Sequence, residues 1–285
     1  MEQKTTSSNF EENKKTFLLG VGCQKGGTSW LHDYLAHMDQ ADMGFDKEYH
    51  VFDTVFYPYN KGHYHRLAGK KDKRSTEFMR FIKDFDTYFD YFKALVDNPK
   101  KDIKLTGDIT PAYCALEPYV FKLIKNGLEQ RGFNVKVVFL MRDPFERIWS
   151  SVRMFKRMKR SEFKDISDTE LIMTHFREEN QQIRTTYDKT IKNLEQVFNS
   201  ENIYYQFYET LFNETAINEI TDFLNIDYIK PDFGKRVNTT NKDTDNDLGA
   251  IKNMVVNYYR DTYYFMMDRF GDKIKDIWAS TSHLY

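Results

Sequence analysis

The residues most able to do chemistry gather in Gly22-Cys23-Gln24-Lys25-Gly26-Gly27-Thr28-Ser29. A glycine-rich turn that leads into a helix presents backbone N–H groups to an anion at the helix N-terminus. Gly22 and Gly27, followed by Thr28 and Ser29, almost reproduce the loop that nucleoside triphosphatases wrap around phosphates. The departure is chemical. That loop needs lysine where this chain has Thr28, and the lysine here is Lys25, three positions earlier. An ammonium therefore lies within the turn and two hydroxyls open the helix, which suits an anion better than a magnesium triphosphate. Other clusters carry less. His63-x-His65 has no carboxylate or cysteine set to complete a metal site and reads as a loop feature. Arg153, Lys156, Arg157, Lys159 and Arg160 read as a solvated basic helix face, and 69–74 as a charged loop. Cys23 and Cys114 fit neither a metal spacing nor a disulfide framework, which points to a reducing compartment.

The turn needs a strand before it and a helix after it. Residues 17–21 (FLLGV) form a short apolar run that fits a buried parallel strand. Trp30, Leu31, Tyr34, Leu35 and Met38 recur at helical spacing. Residues 40–66 read as loop, 77–96 as helical segments, 106–113 as turn-rich and 118–130 as a helix. Residues 135–141 (VKVVFLM) are the clearest strand, ended by Arg142. Asp143 then suits an N-cap, Pro144 the first helical position and Glu146 the third. Ser167 with Glu170 is a second capping signature. Helical pattern runs on to about Phe198, a strand to 203–208, and helices to 211–224 and 248–270 around a loop at 232–247. The strand–helix alternation predicts one α/β domain over 16–285, a central parallel sheet flanked by helices, behind a flexible tail at 1–15.

Gln24-Lys25-Gly26-Gly27-Thr28-Ser29-Trp30-Leu31 resembles the 5′-phosphosulfate loop of sulfotransferases, written P/Q-K-x-G-T-T/S-x-L. Those enzymes use 3′-phosphoadenosine 5′-phosphosulfate (PAPS). Their second signature is an arginine ending a strand and a serine eight residues on, which hold the 3′-phosphate. Arg142 and Ser150 resemble it, about 120 residues after the loop. Arginine offers phosphate a fork of donors. Fainter likenesses cover Arg184 to Phe198, Tyr208-Glu209-Thr210-Leu211, and Gly234-Lys235-Arg236-Val237-Asn238. The last implies Lys235 or Arg236 at the 3′-phosphate. Lys47-Glu48-Tyr49-His50-Val51-Phe52-Asp53 resembles the K-E-x-H-F-F-D segment of the glycosaminoglycan-type branch, whose glutamate is the base. The resemblance implies that Glu48 takes the acceptor's proton. Lys47 and His50 would then orient it or bind acceptor, and Asp53 would position His50 or the acceptor. Gly107-Asp108-Ile109-Thr110-Pro111-Ala112-Tyr113 resembles that branch's G-E-K-T-P-x-Y, with Asp108 and Tyr113 expected near substrate. Asp108 replaces glutamate, and Ile109 replaces a lysine that contacts acceptor in family members.

Composition sets the outer bounds. With 24 Phe, 19 Tyr and 3 Trp the chain is not disordered, and 42 Lys and Arg against 43 Asp and Glu leave no global field for nucleic acid. No apolar run approaches the roughly 20 residues of a membrane span, and the N-terminus has no apolar signal core, so a soluble cytoplasmic protein is expected. The resemblance implies a P-loop-like sulfotransferase fold and sulfuryl transfer from PAPS to an acceptor hydroxyl, a saccharide among the candidates, without metal, leaving 3′-phosphoadenosine 5′-phosphate (PAP). Two rivals stand beside it. A P-loop kinase or NTPase conflicts with the displaced lysine. A non-catalytic nucleotide- or polysaccharide-binding module would not need a base such as Glu48.

Overall fold

A computed structural model describes residues 14–57, 61–163, 165–234 and 248–284. Four strands form one parallel sheet: β1 (Thr16–Gly22), β2 (Leu105–Ile109), β3 (Asn134–Met141) and β4 (Ile203–Phe207). Their order is β2-β1-β3-β4. β1 is buried throughout and mostly apolar because helices cover both faces. Phe17, Leu19 and Val21 enter the larger core, with Phe92 and Phe121. Leu18 enters a smaller one with Leu31, Leu35 and Ile217. The expected helix at 118–130 forms as Pro118–Gln130. Asp143 caps Pro144–Met158 by accepting from the Phe145 N–H at 3.0 Å. Ser167 caps Asp168–His175 by accepting from Glu170 N–H at 3.1 Å.

Several stretches differ from the expectation. Residues 105–109, which overlap the supposed turn-rich segment at 106–113, are β2. Two polar side chains hid it. Thr106 and Asp108 are fully buried, yet Thr106 donates to the Asp42 carbonyl at 2.6 Å and Asp108 accepts from three hydroxyls. Gly107 lets β1 come close, since a Cβ there would lie 2.4 Å from the Leu18 carbonyl oxygen. The region read as loop contains the helices Val51–Phe56 and Lys61–Leu67. Val51 and Phe52 are fully buried in the larger core, so packing outweighs the weak helical tendency of a six-residue segment. The last helix is two, Leu248–Tyr258 and Arg260–Phe270. They part at Tyr259, whose hydroxyl donates to the Phe176 carbonyl. The helix expected at 211–224 begins at Glu214, because Asn213 accepts from the Ala216 N–H and caps it. The expected tail lies, but for Lys14 and Lys15, outside the described residues. Among the described residues no helix is long and apolar enough to cross a membrane.

β1 is followed in the chain by β2 on one side, while β3 pairs with its other side. The connections therefore diverge at the C-terminal ends of β1 and β3. Open α/β sheets bind ligands at such a point.

Candidate active site

The turn after β1 folds under local constraint. Lys25 and Gly27 both take the left-handed conformation, φ 74° and 98°, around Gly26. Such alternation turns successive N–H groups toward one concavity. Gly26 seats the turn on β3: a Cβ would lie 2.7 Å from the Leu140 carbonyl oxygen and 2.9 Å from Cys23 Sγ. Gly27, the N-cap of Thr28–Ala36, supplies no side-chain acceptor. Trp30 and Leu31 N–H donate to the Gly27 carbonyl at 3.0 and 3.1 Å, whereas the N–H groups of Thr28 and Ser29, ahead of them, have no earlier helical carbonyl to reach.

A cleft of about 860 Å³ opens over this turn. Lys25, Arg142, Arg157 and Lys47 all line it. Burial, then the charges of Arg157, Arg142, Arg153 and Lys47, push the Lys25 ammonium down to about 8. Arg142 leaves the end of β3, donates to the Lys25 carbonyl at 3.4 Å and to Glu146 at 3.5 Å, and stacks 4.3 Å over Tyr208. Its buried Nε has no partner among the described residues. Mutual repulsion among clustered cations is relieved by an anion, and this cluster has the form of an anion site.

The facing wall is a chain of linked polar side chains. Lys47 Nζ donates to Ser29 Oγ at 2.6 Å and pairs with Glu48 at 3.0 Å, joining the turn to the carboxylate. His50 Nε2 lies 3.2 Å from Glu48 Oε2, and its Nδ1 lies 2.8 Å from Asp53 Oδ2. Burial favours the neutral form of His50, but hydrogen bonds to Asp53 and Glu48 outweigh it and raise the imidazole to about 10. Burial likewise opposes ionisation of Glu48, yet the His50 hydrogen bond and the Lys47 charge hold it at about 2. His50 is thus a cation at neutral pH with both ring N–H groups engaged. Its two ring nitrogens fix the Glu48 and Asp53 carboxylates relative to one another. The His50 backbone N–H donates to Thr110 Oγ1 at 3.4 Å, and Thr110 donates to Asp108 at 2.6 Å. Tyr88 and Tyr113 also donate to Asp108, at 2.9 and 2.8 Å. Burial raises Asp108 to about 6 against those hydroxyls.

Gln24, Lys25, Gly27, Thr28, Ser29 and Trp30 share the cleft with Lys47, Glu48, His50, Arg142 and Ser150. Gly26 lies beneath, against β3. Asp53, Asp108 and Tyr113 are 0% exposed. They face the interior, where Asp53 holds the His50 ring and Asp108, through Thr110, supports its backbone, so the expected contact with acceptor has no surface to occur on. Lys235 and Arg236 lie outside the described residues. The basic run on Pro144–Met158 is divided rather than uniformly solvated. Arg157 lines the cleft, Arg153 is buried over the Trp149 ring at 4.9 Å, and Lys156 pairs with Asp168 at 3.3 Å. Arg157 was missed as a site residue, although its spacing seven residues after Ser150 puts both on one helix face. Tyr208, Phe212 and Phe233 complete an aromatic side, with Trp30 stacked on Phe233 at 6.1 Å.

A pH dependence follows. The strongest neighbouring influences on Lys25 are all cations, so its charge is lost as pH rises through about 8. The second-order rate constant kcat/KM for an anionic donor, which reports free-enzyme ionisations, declines above about pH 8. A profile unchanged to pH 9.5 would show that Lys25 keeps its proton or that its charge is immaterial.

A parallel sheet with a glycine-rich turn after β1, a strand-end arginine on β3 and a carboxylate opposite is an arrangement suited to group transfer from an anionic donor. The chain belongs to the sulfotransferase domain family, whose model matches residues 15–245, and it is accordingly a sulfuryl transferase. A sulfotransferase from Alicyclobacillus acidocaldarius has the same fold, at TM-score 0.55 and 18% identity over 89% of this chain and 95% of that one. The sulfotransferase domain of the Synechococcus olefin synthase overlays at TM-score 0.44 and 13% identity, covering 88% of this chain and 86% of that one. No curated protein sequence matches the chain.

Proposed function

We propose that the chain transfers the sulfuryl group of PAPS to an acceptor hydroxyl, with Glu48 as general base. One observation carries this reading: the cation cluster at Lys25 and the ionised Glu48 face one cleft, tied together by Lys47. The residues fit the donor. Gly26 and Gly27 let the turn close tightly against Leu140 and Leu211, Arg142 keeps a buried Nε with no partner among the described residues, and Lys25 is destabilised as a cation until an anion arrives. In this reading Lys25, Thr28 and Ser29 hold the 5′-phosphosulfate, Gln24 supports the turn, Arg142 and Ser150 hold the 3′-phosphate, and Trp30 packs beside the nucleotide. Lys235 or Arg236 adds charge at the 3′-phosphate. When bound, PAPS supplies the sulfuryl group and PAP as leaving group.

The chain's own residues do the rest. The acceptor oxygen forms its bond to sulfur as the bond from sulfur to the phosphate oxygen breaks, and the hydroxyl proton passes to Glu48. Lys25 offsets the charge that grows on the departing phosphate. His50, fixed by Asp53, aims the carboxylate. A group held at about 2 is a weak base, but Lys47 is shared between Glu48 and Ser29. An anion on the turn draws Lys47 toward itself and raises the basicity of Glu48 when the donor is present. Saccharide hydroxyls remain the acceptors that the Lys47–Asp53 segment favours. Ile109 is 1% exposed in the smaller core and brings no cation to the cleft, which disfavours strongly anionic polysaccharides.

PAP without magnesium raises the melting temperature, because a ligand bound only by the folded state stabilises it by about 2.7 kcal/mol at roughly 100 times its Kd. ATP, lacking the 3′-phosphate, does so much less. A larger shift with magnesium ATP than with PAP would sink this reading and restore the kinase.

A further inference from the structure

Beneath the phosphate turn lies a charge that the reaction above does not use. Arg147, on the first half of Pro144–Met158, is 0% exposed. Its Nε donates to Thr185 Oγ1 at 3.0 Å and one Nη2 bond goes to Gln181 Oε1. Its Nη1 has no partner among the described residues. Its bonds go to neutral oxygens, and the strongest influences on it besides burial are Tyr187, Cys23, Tyr259 and Arg184, none of them a carboxylate. A buried cation is ordinarily paired, since leaving water is costly for an ion without a counter-charge.

The guanidinium is wired to the turn. Gln181 Nε2 donates to Ser151 Oγ at 3.3 Å, and Ser151 Oγ donates to Gln24 Oε1 at 3.4 Å. Cys23, one residue before Gln24, contacts the Tyr187 hydroxyl at 3.5 Å, and that hydroxyl donates to the Arg142 carbonyl at 2.7 Å. The unpaired cation thus stands behind both the turn and the β3 end, on the side away from the cleft.

We propose that Arg147 is a positioning residue for the anionic donor: a buried charge whose counter-ion is the ligand on the other side of the turn, coupled to it through Gln181, Ser151 and Gln24. This rests on the nucleotide site assigned above. In the low dielectric behind the turn its field reaches the bound phosphates unscreened by salt. In the free protein the same charge is a burden.

The test compares Arg147→Met, Arg147→Gln and Arg147→Lys with wild type, using PAP and uncharged adenosine as probes in calorimetry or ligand-observed NMR. Wild-type binding of PAP is the control: its absence defeats the assigned nucleotide site and not this inference. The expected result is that Met and Gln variants melt at or above the wild-type temperature without ligand. They bind PAP about tenfold more weakly, the order expected for one charge at a distance of several ångströms beyond contact, and bind adenosine as wild type does. Lysine restores most of the PAP affinity. Equal losses for PAP and adenosine would reveal a merely structural residue and overturn the proposal. So would unchanged PAP affinity. Neutral variants that fail to fold, whether or not lysine rescues them, would show that the charge supports the free protein, which also overturns it.

Discussion

Glu48→Gln lowers turnover by about 10²–10⁴-fold and leaves PAPS affinity near that of wild type, the usual worth of a positioned general base. The glutamine keeps the shape and can still accept from His50 Nε2, 3.2 Å away in the wild type, but it cannot take a proton. The nucleotide contacts lie at the Lys25 turn and the end of β3, and Glu48 reaches them through Lys47, which the neutral glutamine leaves freer to meet the donor, so donor binding is kept or slightly tightened and not lost. Single-turnover measurements at saturating PAPS, with PAP affinity by calorimetry, separate the two. Near-normal turnover would place the base elsewhere. His50 is the first to test, because the variant removes one of the two carboxylates, Glu48 and Asp53, that raise its imidazole in the wild type. His50→Ala is expected to release the Glu48 carboxylate from its aim and lower kcat without weakening PAP binding.

Lys25→Met produces the other large effect, and of a different kind. It removes a charge-assisted contact, weakening PAPS by about 1.5–3 kcal/mol. It also removes the group that meets the charge of the departing phosphate, so kcat falls by roughly 10²–10³ as for loss of an oxyanion donor. Both kinetic constants suffer, whereas Glu48→Gln damages one. Stability moves the opposite way. Lys25 is crowded by Arg142, Arg153, Arg157 and Lys47, and its ammonium is disfavoured in the free protein. The ligand-free variant is therefore expected to melt no lower than wild type. A large drop in melting temperature would mean that Lys25 holds the turn together, and the loss of activity would then lose its electrostatic meaning.

The legible parts of this protein are those where local chemistry and function coincide. The phosphate turn could be read because glycine, lysine and paired hydroxyls follow a strand. The capped helix after β3 could be read because Asp143, Pro144 and Glu146 occupy the positions that helix ends demand. β2 was not legible. Thr106 and Asp108 look like turn residues until Asp42, Tyr88 and Tyr113 are seen to satisfy them. The same blindness to burial made Asp108 and Tyr113 look like acceptor contacts, when Asp108 lies in the interior bonded to Thr110 and Tyr113; of the two roles expected for Asp53, the one beside the His50 ring is the one its burial leaves. Conversely Arg157 was hidden among neighbouring cations, because a run of like charges does not announce which member turns inward. Pairwise geometry, such as Lys47 bridging Ser29 and Glu48, links segments 18 residues apart and has no local trace.

Transfer of a sulfuryl group from PAPS in this cleft, with Glu48 as base, can be observed without knowing the acceptor. The direct measurement is mass spectrometry of a metabolite and glycan extract incubated with PAPS and either wild-type protein or Glu48→Gln. The expected result is products heavier by one sulfuryl group, equal release of PAP, and loss of both with the variant although it still binds PAP. Wild-type protein saturated with PAPS that releases no PAP and sulfates nothing in the extract would contradict it, leaving a nucleotide-binding module in place of an enzyme.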